Sequence, residues 1–285
     1  MSLRINTNVA ALNSYNNLSA NQTRLQNAFE QLSSGLRINK AADDAAGLSI
    51  AQGLTSQING LTQAVSNAND GINVAQIADG ALGTVQDILQ RMRSLVVKAG
   101  NAGTQDGNSL SAINSEIKNL NTQLNNIADQ TKFGSTNLLD GTYDATKGVF
   151  QVGANGGETI TLDLTSANVK AATLTTDTLA IAAATSPTTY ASTDASSDLG
   201  ILDGAIKTVS DARSQIGAVQ NQLNYTVTNL QTAITNVTAS RSNLTDADLA
   251  QQVTQMTQSQ ILTQAATSVL AQANSAPQAI LKLLQ

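Results

Sequence analysis

The sequence predicts a mainly α fold: a long antiparallel helical bundle or coiled coil formed by the N- and C-terminal segments, with a small β-hairpin region. Three observations carry this. Apolar residues at Leu202, Ile206, Val209, Ala212, Ile216, Val219, Leu223, Val227, Leu230, Ile234 and Val237 are always three or four apart. Ten such steps over thirty-five residues give a repeat of 3.5, which keeps one seam on a partner helix along a left-handed supercoil. A second tract keeps helical spacing over residues 48–96, and alternation at period two appears around residues 149–164.

In chain order, Ile5, Val9, Leu12, Leu18, Leu25, Phe29, Leu32 and Leu36 give a first amphipathic helix with a thin seam. Ser34-Gly35 predicts its stop, and Asp43-Asp44 favours the next helix N-terminus. The second helix carries Leu48, Ile58, Leu61, Val65, Ala68, Ile72, Ala75, Leu82, Val85, Leu89, Met92 and Val96, and is the natural intrachain partner of the later seam. Gly53, Gly60, Gly71, Gly80 and Gly83 interrupt it, each costing about 1 kcal/mol relative to Ala; they serve either close backbone approach or local kinking. Ala99-Gly100-Asn101-Ala102-Gly103 and Asp106-Gly107-Asn108 then turn the chain back. Ile113, Ile117, Leu120, Leu124 and Ile127 form a third helix.

Val149-Phe150-Gln151-Val152 and Thr159-Ile160-Thr161-Leu162-Asp163-Leu164 alternate about Gly153-Ala154-Asn155-Gly156-Gly157, a β-hairpin signature. Residues 165–198 are rich in Thr, Ser, Ala and Asp, contain Pro187, and read as a small exposed loop region with weak β structure. The central helix, if unbroken over residues 199–244, is on the order of 70 Å long, and its seam needs a covering helix. Thr245-Asp246-Ala247-Asp248 opens a last helix carrying Leu249, Val253, Met256, Ile261, Leu262, Val269 and Leu270. Asn274-Ser275-Ala276-Pro277 is expected to interrupt it before the apolar tail Ile280-Leu281-Lys282-Leu283-Leu284.

Composition removes whole classes of function. The chain has no Cys and no His, so thiolate and imidazole metal sites, His-activated nucleophiles and a disulfide framework are excluded. No carboxylate pair sits among bulky apolar residues that would shift its pKa. No enzyme, metal or cofactor is therefore expected. Charged residues are only 12% and the net charge is −5, which argues against a nucleic-acid surface. Asn, Gln, Ser and Thr make up the polar faces instead, and such faces pack side by side without charge repulsion. No run of eighteen apolar residues predicts a membrane span, and the N-terminus lacks the apolar core of a secretory signal.

Several ordered motifs resemble one family, bacterial flagellin. These are Ile5-Asn6-Thr7-Asn8 with Ala10-Ala11-Leu12-Asn13, Leu32-Ser33-Ser34-Gly35-Leu36-Arg37-Ile38-Asn39, and Ala41-Ala42-Asp43-Asp44-Ala45-Ala46-Gly47-Leu48. The likeness continues in Leu89-Gln90-Arg91-Met92-Arg93, Phe150-Gln151-Val152-Gly153-Ala154-Asn155, and Ala266-Thr267-Ser268-Val269-Leu270-Ala271-Gln272-Ala273-Asn274. Hook–filament junction proteins share the terminal helices and form the alternative.

The resemblance implies an extracellular structural subunit, exported through the flagellar type III apparatus and polymerised into a helical filament. Implied partners are further copies of the chain, the flagellar cap and hook-associated proteins, an export chaperone engaging the C-terminal helix, and the vertebrate innate-immune flagellin receptor. It implies an inner domain of residues 1–42 with 243–285, a rod domain of residues 43–170 with 199–242, and a short variable outer loop at 171–198. It assigns receptor and filament contact to Leu89, Gln90, Arg91, Leu95 and Glu116. Ser94 departs from the family, standing where a well-recognised flagellin has an acidic residue. The metalloprotease inserted in some flagellins needs a His-Glu-x-x-His helix, which a chain without His cannot supply. The terminal seams find no intrachain partner long enough to cover them, so the termini are expected to be disordered in the monomer and to order on assembly.

Overall fold

The computed structural model describes residues 8–101, 103–183, 190 and 192–283. Pro187 and Leu284, named above, lie outside these residues, as do Ile5, Asn6 and Thr7 of the first motif. The chain divides into two compact units: the two chain ends, through Gln57 and from Thr235, and the central stretch Ile58–Ile234.

In the unit of the chain ends, helix α1 (Val9–Ser34) pairs with helix α6 (Leu249–Leu283). The Asn8 side chain fixes the start of α1 twice over. Its Oδ1 accepts from Ala11 N at 3.1 Å, and its Nδ2 donates to Ala273 O at 2.8 Å on α6. Gly35 stops α1 in the left-handed conformation, φ +70°, and donates its N–H to Gln31 O at 2.9 Å, the expected helix stop. The connector then lies against the start of α6: Arg37 N donates to Thr245 O at 2.6 Å and Ala247 N to Gly35 O at 2.9 Å. Asp44 caps helix α2 (Ala45–Ala99) through Gly47 N at 2.8 Å, and Asp248 caps α6 through Ala250 N at 2.9 Å. Both are the helix starts read from sequence.

Two expectations for this unit are corrected. The terminal seams do find an intrachain partner, each other, although the pair buries little. Helix α6 also runs through Asn274–Pro277 without interruption, because one proline removes only one backbone hydrogen bond from a helix of 35 residues.

The central unit is a helical bundle with a β appendage. Its core joins α2, helix α3 (Gly107–Gln130) and helix α5 (Ser192–Thr245). The α5 seam is buried at Leu202, Val209, Ile216, Leu223 and Leu230, seven residues apart, with Ala205 and Ala212 between. Facing it, Leu82, Val85, Leu89, Met92 and Val96 of α2 and Ile117 and Leu124 of α3 are fully buried. Helix α5 begins at Ser192, earlier than the predicted 199. Asp106 caps α3 by accepting from Ser109 N at 2.7 Å, and its hydrogen bonds to Ser109 hold its carboxyl below the usual range.

The expected hairpin forms between β3 (Val149–Gln151) and β4 (Thr159–Thr161), antiparallel with Phe150 opposite Ile160. An unpredicted two-residue ladder precedes it, β1 (Lys132–Phe133) with β2 (Thr136–Asn137). The hairpin explains two of the α2 glycines. A Cβ at Gly60 would lie 3.0 Å from Ala154 Cβ, and one at Gly71 3.1 Å from Phe150 and from Leu223 of α5. These two serve close approach; Gly53, Gly80 and Gly83 face open space.

The reading of residues 165–198 as an exposed loop with weak β structure is corrected. Among the described residues this stretch has no strand; it holds two short 3-10 turns, helix α4 (Ala180–Ala183) and, from Ser192, the start of α5. Leu174, Leu179, Ile181 and Tyr190 join the main core. Side-chain hydrogen bonds tie it down. Asn121 Nδ2 donates to Thr176 O at 2.9 Å, and Asn125 Oδ1 accepts from Ala171 N at 3.0 Å. Asp198, 1% exposed, accepts from Ala180 N at 2.7 Å, Ile181 N at 3.2 Å and the Tyr190 hydroxyl at 2.6 Å. Burial, followed by the Asp198 hydrogen bond, pushes the Tyr190 phenol upward.

Candidate functional site

Two surfaces qualify, one in each unit. The first lies where α2 and α3 meet in the central unit. At 100° per residue, burial of Leu89 and Met92 turns Gln90 and Arg91 outward, and burial of Ile113 and Ile117 leaves Glu116 at the rim. Arg91 Nε donates to Glu116 Oε1 at 2.8 Å and Nη2 reaches the same oxygen at 2.7 Å. Ser94 Oγ donates to Arg91 O at 2.7 Å. With the Arg91 and Glu116 side chains 57% and 41% exposed, the pair contributes about 0–1 kcal/mol to stability. It orients polar groups at a surface rather than holding the bundle together.

The five residues assigned from the resemblance therefore divide. Arg91 and Glu116 pair at the surface, and Gln90, next to Arg91 in the chain, is exposed. Leu89 is 0% exposed and Leu95 4%, both inside the core, so in this chain they support the surface from beneath. Sequence reasoning missed two further ion pairs between α2 and α5. Arg93 meets Asp203 at 2.8 Å, and Arg213 meets Asp79 at 2.8 Å while also donating to Gln86 Oε1 at 2.8 Å. No local motif marks them, because their partners are more than a hundred residues apart.

The second surface is the α1–α6 pair. A pair that buries its seam leaves few large apolar side chains in water. This one leaves Val9, Leu12, Tyr15 and Phe29 of α1 and Leu249, Val253, Ile261, Leu262 and Val269 of α6 exposed, Ile261 by 61%. On the described part of α1 and α6 the buried residues are Ala28, Gln252 and Ser259, small or polar. Val253, Ile261 and Leu262 line one groove on α6, and exposed large apolar side chains grouped in this way mark an interaction face. No cluster of acidic residues able to hold a metal occurs among the described residues, and no described helix is long and apolar enough to cross a membrane.

Comparison with known proteins decides the family. The model of the bacterial flagellin N-terminal helical region matches residues 5–144, and that of the bacterial flagellin C-terminal helical region matches residues 199–284. The chain belongs to the bacterial flagellin family. Flagellin of Bacillus subtilis is 42% identical over 99% of this chain and 100% of its own. Flagellin of Halalkalibacterium halodurans is 43% identical over 99% of each. Flagellin B of Vibrio cholerae is 34% identical over the whole of both chains, but its alignment runs to 378 positions, so that relative carries insertions absent here. A crystal structure of Bacillus cereus flagellin, 28% identical, covers 58% of this chain and 88% of its own with a TM-score of 0.47.

As a flagellin, the chain is a structural subunit that self-assembles into the extracellular flagellar filament for motility, and it is not an enzyme. The full-length identity to filament flagellins does not favour the hook–filament junction reading.

Proposed function

We propose that the subunit assembles through the exposed apolar face of α1 and α6, and that the Gln90–Arg91–Glu116 face makes a second contact between subunits. In the same reading the innate-immune receptor meets this second face on the monomer, where it is uncovered. The inner domain is then residues 1–42 with 243–285, the rod domain residues 43–170 with 199–242, and the outer segment residues 171–198. Cap, hook-associated proteins and export chaperone engage the terminal helices, the chaperone through α6. The observation that carries the proposal is the row of large apolar side chains left in water on α1 and α6.

Arg91→Ala tests the second face. Its ion pair is exposed, so the monomer's unfolding free energy is expected to change by no more than about 0.5 kcal/mol. Seeded polymerisation and binding of the monomer to the purified receptor are both expected to weaken. A stable variant that polymerises and binds like wild type removes Arg91 from the functional surface.

A further inference from the structure

The α1–α6 pair is almost free of charge. Helix α6 has no Asp, Glu, Lys or Arg from Leu249 until Lys282, and α1 has only Arg24 and Glu30. Glu30 is committed within its own unit, accepting from Asn39 Nδ2 at 2.8 Å and pairing with Lys40 at 2.5 Å. Arg24 is different. It is exposed and makes no ion pair among the described residues. It lines a groove of about 440 Å³ between the two helices, whose other polar walls are Asn27, Gln31, Gln255, Gln258 and Ser259.

We propose that this groove receives a carboxylate of a second copy of the chain, with Arg24, the charge of α1 that has no ion pair among the described residues, setting the register of an otherwise largely neutral contact. The inference rests on the assembly face proposed above. Apolar and amide side chains attract without strong preference for one sliding position, whereas a guanidinium that loses water must meet an acceptor at one place. The groove walls offer it only neutral amides and a hydroxyl. A second copy is the partner whose charge fits, because each chain carries 20 acidic against 15 basic residues. Asp70 and Asp177 are exposed with no hydrogen bond or ion pair among the described residues, so spare carboxylates exist on every copy.

The test is seeded polymerisation of the purified full chain, followed by light scattering and electron microscopy at several salt concentrations. Arg24→Gln is expected to raise the critical concentration about tenfold at low salt, the scale of one charge-assisted hydrogen bond, and to flatten the salt dependence seen for wild type. Arg24→Lys keeps the charge and is expected to keep the salt dependence. The thermal unfolding of the monomeric variants should match wild type. An Arg24→Gln chain that polymerises with wild-type critical concentration and salt dependence overturns the proposal, and is also the result expected if the groove serves some other protein. Failure of the wild-type chain itself to polymerise would instead strike at the assembly face.

Discussion

Leu89→Ala is expected to lower the unfolding free energy by about 2–5 kcal/mol, the range for removing a buried Leu and leaving a cavity behind. Leu89 is 0% exposed in the main core, among Val85, Met92 and Ile117, which are equally buried. Its neighbour Gln90 is exposed, and Gln90→Ala is expected to stay within about 0.5 kcal/mol. Denaturant unfolding of the two variants separates them. The comparison also decides how Leu89 contributes to the Arg91 surface. If it acts from beneath, loss of assembly or receptor binding in Leu89→Ala accompanies loss of stability. Equal stabilities for the two variants would show that the α2 face has been assigned the wrong way round.

Ile261→Asp is expected to leave the monomer folded and to abolish assembly. At 61% exposure in the free chain the new carboxylate stays hydrated, so little stability is lost. Once the α6 face is covered by another subunit, an unpaired charge there costs several kcal/mol. That corresponds to a critical concentration raised about a hundredfold or more. Sedimentation of seeded mixtures measures it. Filaments forming at wild-type concentration would mean that α6 does not present this side chain to a neighbour.

The parts of the fold legible in the sequence are those set by local periodicity. The seam from Leu202 to Leu230 is buried because a repeat near 3.5 is a property of spacing alone, and the same holds for α2 and α3. The helix starts at Asp44 and Asp248 were legible because a short acidic side chain before a helix has one obvious use, whereas Asp106 was read only as part of a turn and its cap on α3 came from the structure. Residues 171–198 were not legible. Their apolar residues are few and scattered among Thr, Ser and Ala, and they are held by Asn121 and Asn125 of α3 and by Asp198 at their own far end, bonds that no local pattern announces. The same limit applies to the candidate site. Periodicity placed Leu89 in the apolar tract of α2 and Arg91 one step from Met92 and therefore outside; it was the resemblance that grouped Leu89 and Leu95 with the surface residues, and Leu95, outside the periodic tract, was not legible as core. Nor does any pattern in α1 or α6 taken alone announce that Arg24 lacks a partner, because that depends on every other charge in the unit.

Hydrogen exchange of the backbone amides, compared between monomer and filament, tests the central claim most directly. Local stability follows buried apolar area, and α1 and α6 bury little of theirs against each other. Amides of residues 9–34 and 249–275 are expected to exchange quickly in the monomer and to become strongly protected in the filament. The core amides of α2 and α5 around Leu82 and Ile216 are expected to be protected in both. Equal protection of α1 and α6 in monomer and filament would contradict the account, because it would mean that these helices are already covered before any second subunit arrives.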